Sequence, residues 1–403
     1  MRRLYEQLLA EHFRDERKML FLMGPRQVGK TTTSREVARS RERSLYFNWD
    51  NLDHQNLIVR GPSRLAEELR LDVLAEDRPL LILDELHKYP RWRSLLKGFF
   101  DTHGEATDVL VTGSARLSAF HPTGDSLMGR YFSYRMHPLS VAELIRPEVG
   151  EPPGERPPAA IDADTFEALE RFGGFPEPLS RADQRFALRW RRLRHQQLFR
   201  EELRDLTRVQ ELGKVQTLAQ LVVQEAGQLV TYSSLANALD ASIDSVKRWL
   251  SILESLYFHF PVRPWFRNVA RSLRKEPKFY LWDWSLIDDP GRRFENMVAS
   301  ALLKAVHLWT DHGLGEFGLH FLRDKEKREV DFLVSRDGRP WLLVEAKLSG
   351  RAGLSPSLLH FQRQLEADTA LQAARDLPHV ERSCFGLGRP TVVPARTFLS
   401  QLV

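Results

Sequence analysis

Short apolar runs alternate with helical patterns through the first third of the chain. Met19–Met23, Leu45–Trp49, Leu80–Leu83 and Val109–Thr112 read as strands, and Tyr131–Met136 as a fifth. Buried strands that alternate with helices predict a parallel sheet covered on its faces. The pattern then changes. Residues 146–158 are rich in Pro, Gly and Glu, which predicts a surface loop or linker. Helical periodicity returns at Asp164–Phe172, breaks at Gly173-Gly174-Phe175-Pro176, and dominates from Arg185 to about Leu256. Within it, a helix from Ser233, a tight turn near Asp240–Ser242 and a second helix from Ile243 precede short apolar runs at Tyr257–Val262. Two helices with a tight turn, then strands, predict a winged helix-turn-helix. Beyond about Lys278 the pattern is mixed: a helix over Phe294–Leu308 and strands over Leu319–Arg323, Glu329–Ser335 and Trp341–Ala346. No internal repeat interrupts this order.

The turn after the first strand carries the clearest chemistry. Gly24-Pro25-Arg26-Gln27-Val28-Gly29-Lys30-Thr31 fits G-x4-G-K-[ST] at every fixed position. Glycines let the backbone curl so that several N–H groups point at phosphate oxygens. The helix that begins near Lys30 turns its positive end on the same anion. Lys30 is expected to reach the β and γ phosphates, and the Thr31 hydroxyl to bind magnesium. Thr32, the next residue, is a further candidate for nucleotide binding.

Leu80-Leu81-Ile82-Leu83-Asp84-Glu85 supplies the matching carboxylates. Asp84 is expected to hold magnesium, and Glu85 to polarise the attacking water as general base. A third strand ends in hydroxyls at Thr112 and Ser114. Placed beside the Asp84 strand, either could sense the γ phosphate; an ordinary strand-to-loop turn is the plainer alternative. Arg116 and Arg130 are candidate charge sensors for the transition state. Should such an arginine act on a neighbouring subunit's ATP, activity requires a homo-oligomer.

Together, G-P-R-Q-V-G-K-T-T, L-D-E, T-G-S and the later G-G-F-P resemble bacterial and archaeal AAA-type ATPases whose C-terminal region is termed domain of unknown function 4143. The C-terminal signature is Phe279–Asp283 (F-Y-L-W-D), then Gly291, Glu295 and Asn296 (G-x3-E-N), then Glu329–Phe332 (E-V-D-F) and Val344–Lys347 (V-E-A-K). The resemblance spans nearly the whole chain. It implies an α/β architecture: a P-loop ATPase core with a parallel sheet over 1–150, a helical lid and winged helix over 160–265, and a small nuclease-like α/β domain over 275–403. It implies ATP and Mg2+ as cofactors, and a nucleotide-sensing role for Gly173–Pro176. One departure is local: Trp284-Ser285-Leu286 follows Asp283 where the family has a small polar residue and Gly-Leu.

The tail carries a second set. Asp331, then Glu345 and Lys347, fits D…(D/E)-x-K, and Glu345 and Lys347 lie two apart, on one face of a strand. Two carboxylates could hold a magnesium that activates water, with Lys347 stabilising the pentavalent phosphate and Glu295 as a third acidic ligand. In the helix-turn-helix, Ser245, Lys247 and Arg248 open the second helix, where base or phosphate contacts fall. Arg263, Arg267, Arg271, Arg274, Lys275 and Lys278, interleaved with Trp265 and Phe266, suit nucleic acid. Packing between subunits is the alternative use of such a domain.

Composition adds limits. The chain has 403 residues, which predicts two or three domains, and one cysteine, Cys384, which excludes an intrachain disulfide and disfavours a thiolate zinc site. Its net charge of +5 and pI near 9.3 come with far more Arg than Lys. That bias fits phosphate contact, but composition alone favours a GC-rich genome or a thermophile habit. No run approaches the ~18 apolar residues that span a bilayer, and the N-terminus is not a secretory signal, so a cytoplasmic protein without membrane contact is expected. Three functions stay open: an ATP-driven enzyme acting on DNA with salt-dependent binding, an ATP-gated nuclease, or a nucleotide-controlled switch that engages a protein partner.

Overall fold

The computed structural model describes residues 1–113, 127–149, 152–203, 212–266, 275–351 and 353–403. These form two units, Met1–His137 and Pro138–Val403.

In the first unit the five expected strands form one parallel sheet: β1 (Met19–Met23), β2 (Ser44–Asn48), β3 (Leu80–Asp84), β4 (Asp108–Gly113) and β5 (Tyr131–Arg135). The order is β2-β3-β4-β1-β5. Every residue of β3 and β4 is buried, as continuous apolar runs require when helices cover both faces. The more polar β2 and β5 take the edges. Leu81, Leu83, Trp92, Leu96 and Phe99 belong to the core cluster under Trp92–His103. Register brings the C-terminal ends of β1, β3 and β4 together, because Thr112 faces both Leu22 and Asp84. Ligands of open parallel sheets bind at that edge.

The second unit begins with helices Val141–Ile145, Ala163–Phe172, Pro176–Arg181, Gln184–Gln197, Leu212–Gln224, Tyr232–Ala238 and Ile243–Ser255. Thr231 and Ser242 cap the last two, accepting the N–H of Ser234 and Ser245, so the two expected helices and the turn between them are present. Its strands depart from expectation. β6 (His259–Pro264) and β7 (Lys278–Leu281) pair with each other, but β6 also runs parallel to β8 (Phe317–Arg323). A seven-stranded sheet results, in the order β12-β11-β10-β9-β8-β6-β7, completed by β9 (Glu329–Arg336), β10 (Arg339–Lys347), β11 (Thr369–Ala374) and β12 (Thr391–Pro394). The expected break between 265 and 275 is therefore not a break in the sheet. All four β7 residues are buried, and the Asn296 amide bonds both the N–H and the C=O of Leu281 at 2.8 Å. A strand so enclosed needs the larger sheet beside it.

The first compact unit ends at His137, before the expected boundary near 150. Lys304, on the long helix Pro290–Asp311, is buried against Glu143 and donates to Ser140 Oγ (3.0 Å) and the Pro138 carbonyl (3.2 Å). Ser140 in turn donates to the Val403 carbonyl. These bonds fasten residues 138–143 to the C-terminal part of the chain. Among the described residues no helix is long and apolar enough to cross a membrane.

Candidate nucleotide-binding site

The loop between β1 and helix Lys30–Arg39 has the backbone its glycines allow. Gly29 (φ 109°) precedes the helix in a left-handed conformation, and Gln27 (φ 63°) shares that region. At Gly24 a Cβ would stand 2.4 Å from the Met136 carbonyl oxygen, so no side chain fits there. Lys30 Nζ donates to the carbonyls of Gly24 (2.8 Å) and Pro25 (2.7 Å), closing the loop on itself. Val28 is buried beneath, while Arg26, Gln27, Thr31 and Thr32 reach the surface in part or fully. Arg3, outside the sequence pattern, braces the loop: its guanidinium donates to the Val28 carbonyl and to the His137 carbonyl (2.6 Å).

Asp84 is the hub beside this loop. It is buried and accepts three hydroxyls: Thr31 (2.8 Å) and Tyr46 (2.6 Å) on one oxygen, Thr112 on the other. Burial, then the bond to Asp84, raises the Tyr46 hydroxyl well above its usual range, so it stays a donor. Arg35 stacks on the Tyr46 ring at 4.6 Å. Sequence patterning missed Tyr46; only the pairing of β2 with β3, Asn48 opposite Asp84, brings it there. Thr31 and Asp84 offer oxygen ligands alone, the donor set a hard divalent ion such as Mg2+ takes.

Glu85 follows in a left-handed conformation (φ 56°), its N–H bonded to the Thr112 carbonyl. Lys88 lies 3.3 Å from its carboxylate and also bonds Asp50. Thr112 is fully buried and committed to Asp84, a placement that supports the carboxylate from beneath. Ser114 and Arg116 lie outside the described residues.

Arg130 requires a correction. Its carbonyl accepts the N–H of Met19, the first residue of β1, whereas the phosphate loop follows the last. In a parallel sheet this places Arg130 at the opposite edge, roughly 15 Å from the loop at ~3.3 Å per strand residue. There it forms a bidentate pair with Asp101 at 2.7 and 3.1 Å. It cannot serve the nucleotide of its own chain.

In the second unit the four carboxylate-set residues do meet. Asp331 on β9 accepts the Ala346 N–H (2.9 Å), Lys347 pairs with Glu345 (2.9 Å), and Tyr280 donates to Glu295 (2.7 Å). Burial, then the Asp331 charge, pushes both Glu295 and Glu345 up to about 7. Burial also raises Asp331, against the pull of Lys278 and Lys347. Lys278 corrects a second expectation: it was grouped with DNA-facing cations but is 3% exposed and pairs with Glu329 at 2.5 Å. Burial works to lower its pKa, yet Glu295, Glu329 and Asp331 outweigh it and hold it raised. Among the described residues no group of three His, Cys, Asp or Glu has metal-holding geometry.

Of the helix-turn-helix residues, Lys247 and Arg248 are exposed, with Lys247 5.3 Å from the Tyr232 ring, whereas Ser245 serves the Ser242 cap. Arg267, Arg271 and Arg274 lie outside the described residues. Gly173–Pro176 packs within its own unit: a Cβ on Gly174 would meet the Leu139 carbonyl at 2.4 Å, and Arg194 stacks on Phe175 while pairing with Asp283.

A glycine loop on a parallel sheet, its lysine and an acid-ended neighbouring strand define a P-loop nucleoside-triphosphatase of the AAA type. Residues 16–145 match the AAA domain, 163–288 a domain of unknown function numbered 8612, and 290–381 domain of unknown function 4143. The chain thus joins an AAA domain to domain of unknown function 4143, the combination that the resemblance implied. An uncharacterized protein of Mycobacterium tuberculosis is 24% identical over 372 residues, 89% of this chain and 75% of that one. One from Haemophilus influenzae is 20% identical over 313 residues, 72% of this chain and 76% of its own. Among solved structures, the Aeropyrum pernix ORC1 protein in complex with DNA aligns with TM-score 0.31 and 14% identity, covering 74% of this chain and 91% of that one. C. elegans PCH-2 aligns at 0.25 and 16%, covering 61% and 65%.

Proposed function

We propose that this ATPase is magnesium-dependent and couples hydrolysis to remodelling of, or movement along, DNA. One observation carries the reading: the Thr31 hydroxyl, in the first turn of helix Lys30–Arg39, donates to Asp84 at the end of β3, so the two side chains that would hold magnesium lie side by side. Lys30 holds the β and γ phosphates, the loop N–H groups cradle them, and Glu85 orients the attacking water. Magnesium supplies charge neutralisation of the phosphates. Arg130, at the far edge of the sheet, could act only on the ATP of a second copy, so a role for it in hydrolysis would require a homo-oligomer. Exposed Lys247 and Arg248 support contact with DNA. The test is ATP turnover with and without magnesium and with duplex, branched or single-stranded DNA, against Glu85→Gln. Stimulation by one DNA form is expected; protein that neither retains nor splits ATP with magnesium present would overturn the reading.

A second reading, an ATP-gated DNA nuclease, draws on the meeting of Glu295, Asp331 and Glu345, buried or half-buried, with the exposed Lys347. It requires magnesium-dependent nicking that Asp331→Ala and Lys347→Ala abolish.

A further inference from the structure

Helix Gln184–Gln197 carries five arginines, at 185, 189, 191, 192 and 194, and no acidic residue. Its inner face is set by the buried Ala187 and Trp190, with Arg194 committed to Asp283. Arg185, Arg189 and Arg192 fall at i, i+4 and i+7, one stripe of the outer face, and all three are exposed. Other helical arginines are paired with acids one turn away: Arg39 with Glu36, and Arg64 with Glu67 and Glu68. Among the described residues, Arg185, Arg189 and Arg192 have no acidic side chain at ion-pair distance. Like charges one turn apart destabilise a helix, so this stripe carries a repulsion that a polyanion would relieve. The exposed Leu188 and Leu193 lie among the arginines, not on an apolar face of their own, which disfavours a lipid surface.

We propose that Arg185, Arg189 and Arg192 grip the phosphate backbone of DNA, a contact separate from Lys247 and Arg248. The proposal rests on the reading that DNA is the partner and locates the larger part of its electrostatic grip. Each phosphate neutralised releases counterions, giving a slope near −0.9 in log K against log salt for duplex DNA. The experiment titrates salt against binding of the full chain to a labelled duplex. Replacing all three arginines with Gln should flatten the slope by about 2.7, for three phosphates lost. The triple Lys variant should keep the wild-type slope, and ATP turnover without DNA should be unchanged in both, showing that the fold survives. A wild-type slope in the Gln variant would overturn the inference while leaving the DNA reading intact. Wild-type protein that binds no duplex at all would remove the DNA reading itself. Sedimentation with phosphatidylserine vesicles in place of DNA, or a Gln variant altered only in oligomeric mass, would also overturn the contact.

Discussion

The two carboxylate sites of this chain differ in where their countercharge comes from. Asp84 is held by three neutral hydroxyls, and no cation among the described residues lies at ion-pair distance from it. On the proposed reading, an ion that arrives with the nucleotide supplies its countercharge. The cluster of Glu295, Asp331 and Glu345 has ammonium groups built in, Lys278 from beneath and Lys347 from the same strand as Glu345. Two of its acids rise to about 7, as carboxylates buried side by side must when water is excluded. Similar residue types thus make one site poised for an outside cation and one that balances its charge internally.

Several substitutions would break or sharpen this contrast. Glu85→Gln should lower hydrolysis by about 10²–10⁴-fold, the usual worth of a general base, while fluorescent ATP still binds. Lys30→Ala should lower turnover by about 10²–10³-fold through loss of a phosphate clamp, read as phosphate release; a loss of only about 2-fold would remove the first site from consideration. Lys278→Met strands the buried charge of Glu329 and its neighbours. Urea unfolding at pH 8 should show the second unit weakened by about 3–5 kcal/mol, and by less at pH 5, where Glu295 and Glu345 are protonated.

The pH dependence of the wild type follows with a definite sign. Glu295 and Glu345 titrate near 4.5 when unfolded and about 7 when folded, so between those values the folded state holds more protons. Their contribution to stability should fall as pH rises from about 4.5 to 7, then level off. Glu345→Gln should flatten that fall; an unchanged slope would show that the cluster is already hydrated. Smallest is Tyr46→Phe, which removes one of three hydroxyls on Asp84. A rise of about 5-fold in the magnesium needed for half-maximal turnover, equivalent to about 1 kcal/mol, is expected, with kcat much less affected.

The sequence by itself determined the elements whose information is local. Four apolar runs and a glycine loop are legible because a strand buried on both faces must be continuously apolar, and because no other residue adopts the backbone at Gly29 and Gly24 so readily. Lys30, Thr31, Asp84 and Glu85 come with that loop and that strand end. The helix-turn-helix was equally local, since Thr231 and Ser242 announce their helices. Tertiary structure alone decided what depends on strand order and direction. It brought Tyr46 to Asp84 through the β2–β3 register, and took Arg130 to the far edge because β5 runs parallel to β1. It turned Lys278 from a surface cation into the buried partner of Glu329 by enclosing β7, and set residues 138–143 with the C-terminal part through Lys304 and Glu143. Spacing along the chain fixes which residues share a face of one element. Which group then lies across from them depends on partners 38 to 161 residues away, and no local pattern encodes that.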